Sequence, residues 1–182
     1  MLRMLYNGSI IYIDEKNEIW ASPCSSSTYV ETKKHKIVID TSKKEKMKVI
    51  ISNLNKLDVR LKDIDYVINT HNHISHTENN DIFKNADILK YSDGSLDNFN
   101  DSEIEVLLTP GHTFDSISLI YDDYVIAPAA VNSKRNIIDE KIVISAIDDE
   151  LARKSILKIK SLKKHIVTAH EGILYNYEYI KP

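Results

Sequence analysis

What the sequence lacks narrows it first. A single cysteine, Cys24, stands in 182 residues, so no intramolecular disulfide can form and a reducing, cytoplasmic setting is expected. The opening stretch, Met1 to Gly8, has no long apolar core of the kind a signal peptide carries. No apolar run approaches the roughly 18 residues of a membrane span, so no membrane association is expected. Basic charge is not in excess either: 24 Lys and Arg face 27 Asp and Glu, a formal net charge of −3, which disfavours nucleic acid as a partner. The chain is not short of apolar residues, at 42% hydrophobic and 28% charged, and this places it far from the composition of disordered proteins. No repeat of fixed period and no low-complexity tract interrupts it, so residues 1–182 are expected to form one domain. Cys24, beside Pro23 and a serine run, reads as a small packed side chain.

Short β-branched and aromatic runs at 9–13, 18–21, 27–31 and 36–40 predict an antiparallel opening sheet. Ser42 with Glu45 has capping-box spacing before a helix whose apolar positions are Met47, Ile50, Ile51, Leu54 and Leu57. Lysines 43, 44, 46 and 48 around it read as a solvated face. A strand at 66–69, a short helix at 78–83 and strands at 86–91 and 103–109 follow, with a polar turn at 92–102 between the last two. A hairpin is expected over 116–121 and 124–127. An extended run at 141–146 comes next, then a helix carrying Leu151, Ala152, Ile156, Ile159 and Leu162, with Ser145 and Asp148 at capping spacing before it. A last strand is expected at 165–169. This mixture of strands and helices predicts a layered α/β sandwich.

Three of the seven histidines, His71, His73 and His76, fall within six residues directly after the apolar run Tyr66-Val67-Ile68. A strand end is a place from which several imidazoles can be aimed at one point. Either a metal site or a polar, histidine-rich loop fits this heptapeptide taken alone. His35 and His165 match no motif and read as surface or satisfied side chains.

Further along, the residues fit a larger pattern. Thr70 to His76 resembles the strand followed by H-x-H-x-D-H of the metallo-β-lactamase superfamily. Asp40-Thr41-Ser42 resembles that family's D-T-G, Thr109 to Thr113 its T-P-G-H-T with Asp115-Ser116-Ile117 as the usual continuation, and Ala169-His170 its late G-H. The resemblance implies a four-layer αβ/βα sandwich with a metal at one edge. It implies His71, His73 and His112 as the first metal site. Three neutral imidazoles and one open position make a recognised catalytic zinc geometry, so one Zn2+ is the expected cofactor.

The family's second metal needs two carboxylates that this sequence does not have. Ser75 stands at the first aspartate, and Ala129, in Ala127-Pro128-Ala129, stands where the bridging aspartate is usual. His76 and His170 remain as a remnant of that second site and as the residues left to orient or bind substrate. Two divalent ions about 3.5 to 4 Å apart repel by roughly 20 kcal/mol at an effective dielectric of 20. With both aspartates and a hydroxide a two-metal cluster carries +1, whereas five histidines and a hydroxide leave +3. One ion is therefore expected, unless Glu78, Asp115 or Glu171, close in sequence to His76, His112 and His170, substitutes. Two functions follow as expectations: a mononuclear zinc hydrolase of a small-molecule substrate, or an impaired relative acting as a binding or assembly subunit with a protein partner or a second copy of itself.

Overall fold

The computed structural model describes residues 1–14, 19–142 and 145–175. Its strands are β1 (Leu2–Tyr6), β2 (Ser9–Asp14), β3 (Ile19–Cys24), β4 (Ser27–Glu31), β5 (Lys36–Ile39), β6 (Tyr66–Ile68), β7 (Asp87–Leu89), β8 (Ile104–Leu108), β9 (Ile117–Tyr121), β10 (Tyr124–Ile126), β11 (His165–Val167) and β12 (Ile173–Leu174). Its α-helices are α1 (Met47–Asn55), α2 (Ile74–Thr77), α3 (Lys134–Ile138) and α4 (Asp149–Ser161). Two five-stranded sheets form, in the orders β1-β4-β5-β6-β7 and β12-β11-β10-β9-β8, while β2 and β3 pair as a separate hairpin.

Strand alternation explains the layers. Val30, Ile37, Ile39 and Ile68 leave one face of the first sheet and meet Ile104, Ile117, Leu119, Ile126 and Val167 of the second, forming the central core. Their neighbours Tyr29, Val38 and Val67 point the other way, onto Ile50 and Leu54 of α1. On the second sheet, Val125 and Ile166 likewise turn outward onto Ile137 of α3 and Ile156 and Ile159 of α4. The order helix, sheet, sheet, helix is the four-layer αβ/βα sandwich that the resemblance implied. Strands buried on both faces are what the runs Lys36-Ile37-Val38-Ile39 and Tyr66-Val67-Ile68 encode.

Local departures have local causes. The runs at 9–13 and 18–21 do not open the main sheet; β1 does, pairing antiparallel with β4 across a bulge between Met4 and Tyr6. Ser42 does not cap α1: it holds a left-handed φ of 59°, its hydroxyl is buried without a partner, and a 3-10 turn at Lys44–Lys46 leads into the helix. Asp148 alone caps α4, accepting from Leu151 N. The helix expected at 78–83 is replaced by α2 and a 3-10 turn at Asn80–Ile82. The run 18–21 and the extended run 141–146 fall partly outside the described residues, at 18 and at 143–144, and the described residues 141–142 and 145–146 form no strand. Among the described residues no helix is long and apolar enough to cross a membrane.

Candidate metal centre

β5, β6, β10 and β11 each run parallel to a neighbour, so their carboxyl ends lie on one edge of the sandwich. Asp40 follows β5, Thr70 and His71 follow β6, Ala127 follows β10, and His170 lies just past β11. This is the edge at which parallel strands present functional loops. His112 arrives from the other side, on the loop after β8.

That loop is held by its own backbone. Thr109 N donates to Ser116 O, Gly111 N to Thr113 O, and the Thr113 hydroxyl pairs with that of Ser116 at 2.7 Å. Gly111 has φ 134°, and a Cβ there would sit 2.2 Å from Ala152 N, so only glycine lets the loop lie against the first turn of α4. Ile147 N and Asp148 N both donate to Gly111 O, locking helix and loop together. The histidine loop is joined to the second sheet by Ile117 N donating to Thr70 O.

His71 and His112 are buried and His73 is exposed. His71 Nε2 lies 2.9 Å from His73 Nδ1, which lies 2.9 Å from His112 Nε2. The outer nitrogens are engaged elsewhere. Thr70 Oγ1 donates to Asp40 Oδ2 and so faces His71 Nδ1, at 3.4 Å, as an acceptor. Ser145 Oγ lies 3.1 Å from His112 Nδ1. Protons held on both Nδ1 atoms leave the two Nε2 lone pairs directed at one point, the tautomer that a metal-binding histidine needs. Burial, followed by the neighbouring imidazoles His76, His112 and His73, pushes His71 well below the ordinary histidine pKa. Burial first and then His73 and His76 bring His112 down to about 4, and burial also lowers His73. Neutral, convergent and unable to satisfy one another fully, these three nitrogens fit a divalent cation. No second group of three or more His, Cys, Asp or Glu side chains with this proximity occurs among the described residues.

Beside the triad lies a cavity of about 210 Å3, lined by Pro23, His73, Ser75, His76, His112, Asn132, Ser145 and His170. The structure thus brings His76 and His170 to the same cavity as His73 and His112. His76 donates from Nδ1 to Asp40 Oδ2 at 2.7 Å, and His170 from Nδ1 to Cys24 O at 3.1 Å. Both therefore offer a bare Nε2. Burial holds His170 at about 4, against the raising effect of its bond to the Cys24 carbonyl.

The carboxylates near the histidines in sequence are occupied. Glu78 accepts from Lys44 N, Glu171 from Lys134 N, and Asp115 from the Asn72 side chain. Ala129 is fully buried and does not line the cavity, whereas Ser75 does. Three residues of the site escaped sequence reasoning. Asp40 stood in the D-T-G match without a role, Ser145 stood as a helix cap, and Asn132 gave no signal. His35 is tied to Asp101 at 2.8 Å, and His165 packs on Tyr124, both far from the triad in the fold.

A four-layer sandwich with three convergent histidines at its edge defines a metal-site protein of the αβ/βα class. Comparison with known proteins makes the class specific. A family model described as the metallo-β-lactamase superfamily matches residues 24–92. A curated protein of Methanocaldococcus jannaschii named "Probable metallo-hydrolase" is 42% identical over 183 residues, covering 96% of this chain and 89% of the relative. The chain belongs to the metallo-β-lactamase superfamily. Among solved structures, a probable metal-dependent hydrolase from Staphylococcus aureus superposes with a TM-score of 0.73 at 14% identity, over 93% of this chain and 88% of that one. AidC, a dizinc quorum-quenching lactonase, superposes at 0.66 and 16% identity, over 82% and 74%. At such identities these structures show a shared fold.

Proposed function

We propose that the protein is a hydrolase that works with one zinc ion held by His71, His73 and His112. The observation that carries this reading is the set of three imidazole nitrogens within 4.8 Å of one another, with the outer nitrogens of His71 and His112 engaged by Thr70 and Ser145. An all-imidazole set suits zinc better than non-haem iron, which usually takes a carboxylate. When bound, zinc supplies Lewis-acid polarisation and a water whose pKa is lowered to about 7. The rest of the chemistry belongs to the chain. His76, oriented by the buried Asp40 carboxylate, presents Nε2 to the cavity and takes the proton of the attacking water. The same atom returns that proton to the leaving group, so an ester and one water give one acid and one alcohol. His170 Nε2 lies in the same cavity and accepts a hydrogen bond from substrate. At about 210 Å3 the cavity takes the reacting group of a substrate and not a whole drug-sized ligand, which needs about 300–1,000 Å3.

The names of the M. jannaschii relative and the S. aureus structure support hydrolysis in general, and AidC supports zinc. A second reading, a binding or assembly subunit without turnover, is favoured by one feature: among the described residues no carboxylate lines the cavity. Zinc content of tag-free protein, with His71→Ala and His112→Ala beside it, tests the first reading. It predicts close to one zinc per chain, lost in both variants. Absence of bound metal, with no rise in melting temperature on adding zinc at a hundredfold excess over a micromolar Kd, would sink it, because binding at that level stabilises by about 2.7 kcal/mol.

A further inference from the structure

We propose that Asn132, with Ser75 beside it, donates the hydrogen bonds that stabilise the substrate oxygen on which negative charge develops. The proposal rests on the hydrolase reading and adds to it a role that the histidines cannot fill. His71 and His112 hold their protons on Nδ1 toward Thr70 and Ser145, away from the shared point. His76 and His170 direct theirs to Asp40 and to the Cys24 carbonyl. Of the imidazoles that line the cavity, His76, His112 and His170 thus turn lone pairs toward it, while His73 gives its Nδ1 to the shared point of the triad. An acyl oxygen that gains negative charge is stabilised further by hydrogen-bond donors, which those three lone pairs do not supply.

Besides His73, whose Nδ1 belongs to the triad, three lining residues carry side-chain protons that can face such an oxygen: Ser75, Asn132 and Ser145. Ser145 is committed to His112. Asn132 is fixed by its backbone on both sides: its N–H donates to Asn136 Oδ1 at 2.8 Å, and its carbonyl accepts from His170 N at 3.0 Å. With both backbone groups used, what Asn132 has left for the cavity is its amide, which has no protein partner among the described residues. The bond from His170 N joins the two backbones, and both residues line the cavity. Ser75 is fixed similarly, its carbonyl accepting from Ser25 N, and its hydroxyl has no protein partner among the described residues. The two positions that deny the site its acids therefore differ in kind. Ala129 is packed away, while Ser75 places a neutral donor in the cavity where an aspartate would be a second acceptor.

The inference is tested on the zinc-loaded, full-length protein with acetate as probe, a carboxylate that mimics a hydrolysis product. In 1H–15N spectra the Asn132 side-chain amide pair, assigned by its loss in Asn132→Ala, shifts on titrating acetate. Asn132→Ala weakens acetate binding about tenfold and Ser75→Ala weakens it less, with zinc content and melting temperature unchanged. On p-nitrophenyl acetate, where turnover is seen, Asn132→Ala lowers kcat about a hundredfold with KM within threefold. An amide pair that acetate leaves unmoved, or acetate affinity equal in wild type and Asn132→Ala, overturns the proposal. If zinc is bound under these results, the hydrolase reading stands and this inference alone falls. Failure to bind zinc at all overturns both.

Discussion

Asp40→Asn changes one atom type in a fully buried group that three donors share. Asp40 Oδ1 accepts from Thr70 N at 2.8 Å, and Oδ2 accepts from the Thr70 hydroxyl and from His76 Nδ1, both at 2.7 Å. Asparagine keeps the first bond but sets an NH2 against two donors. The Thr70 hydroxyl can turn to accept. His76 can adapt only by moving its proton from Nδ1 to Nε2, so the face it shows to the cavity changes from acceptor to donor. One charge-assisted hydrogen bond is lost, about 1.5–3 kcal/mol. For a chain of this length that lowers the melting temperature by roughly 3–12 °C. The rate falls much further, by about four orders of magnitude, because a base in the wrong tautomer cannot accept the proton. Imidazole 15N spectra of the metal-free protein read the tautomer directly and need no substrate. A His76 that still carries its proton on Nδ1 in Asp40→Asn, or a rate within threefold of wild type, refutes the role given to this pair.

Ser42→Gly should stabilise the protein. It removes a left-handed strain of about 1–2 kcal/mol and a buried unpartnered hydroxyl, against about 1 kcal/mol of added unfolded-chain entropy, and scanning calorimetry should show a higher melting temperature. Gly111→Ala should do the reverse: its Cβ meets the backbone of Ala152, so both melting temperature and zinc affinity drop, the latter through His112. Without metal, stability should fall as pH drops from about 6.5 through 4 and stay flat above 7. His112 and His170 stand at about 4 in the fold, so between these values the unfolded chain binds the extra protons, on the order of 3 kcal/mol for each group. Urea midpoints that do not change over that range would contradict the neutral state given to the site. Ser75→Asp, which places a carboxylate in the cavity, should raise metal content above one ion, and a value unchanged from wild type would contradict the charge argument.

The layers and the convergence of His71, His73 and His112 were legible because both are written locally. Alternation in Lys36 to Ile39 and Tyr66 to Ile68, helical spacing in α1 and α4, and four motifs in order need no knowledge of distant neighbours. What escaped depends on pairings across the chain. β1 pairs with β4 some twenty-five residues on, and its pattern, with Arg3 between Leu2 and Met4, is too short to announce a partner. The expected cap at Ser42 failed because the chain turns left-handed there to bring Asp40 and Thr41 beside His76, whose carbonyl accepts from Thr41 N. Asn132 joins the site only because β10 and β11 lie parallel, which carries His170 to the loop after β10. No local pattern in Val131-Asn132-Ser133 encodes that meeting.

Charge ties these observations together. The carboxylates nearest the histidines in sequence serve backbone amides or Asn72, and Asp101 serves His35. Asp40 is the buried carboxylate that remains at the centre, and its two oxygens are filled by Thr70 and His76. It therefore acts at one remove, fixing tautomers, and neutralises no second ion directly. A lone zinc needs no such neutralisation, since three imidazoles bind it without anionic help. With a single dication beside it, the rest of the cavity is free to be neutral, and Ser75 and Asn132 place donors where a two-metal site has to place acceptors. On the proposed reading, serine and alanine at the two aspartate positions mark a change from two ions to one ion and a donor pair, which does not by itself imply the loss of turnover.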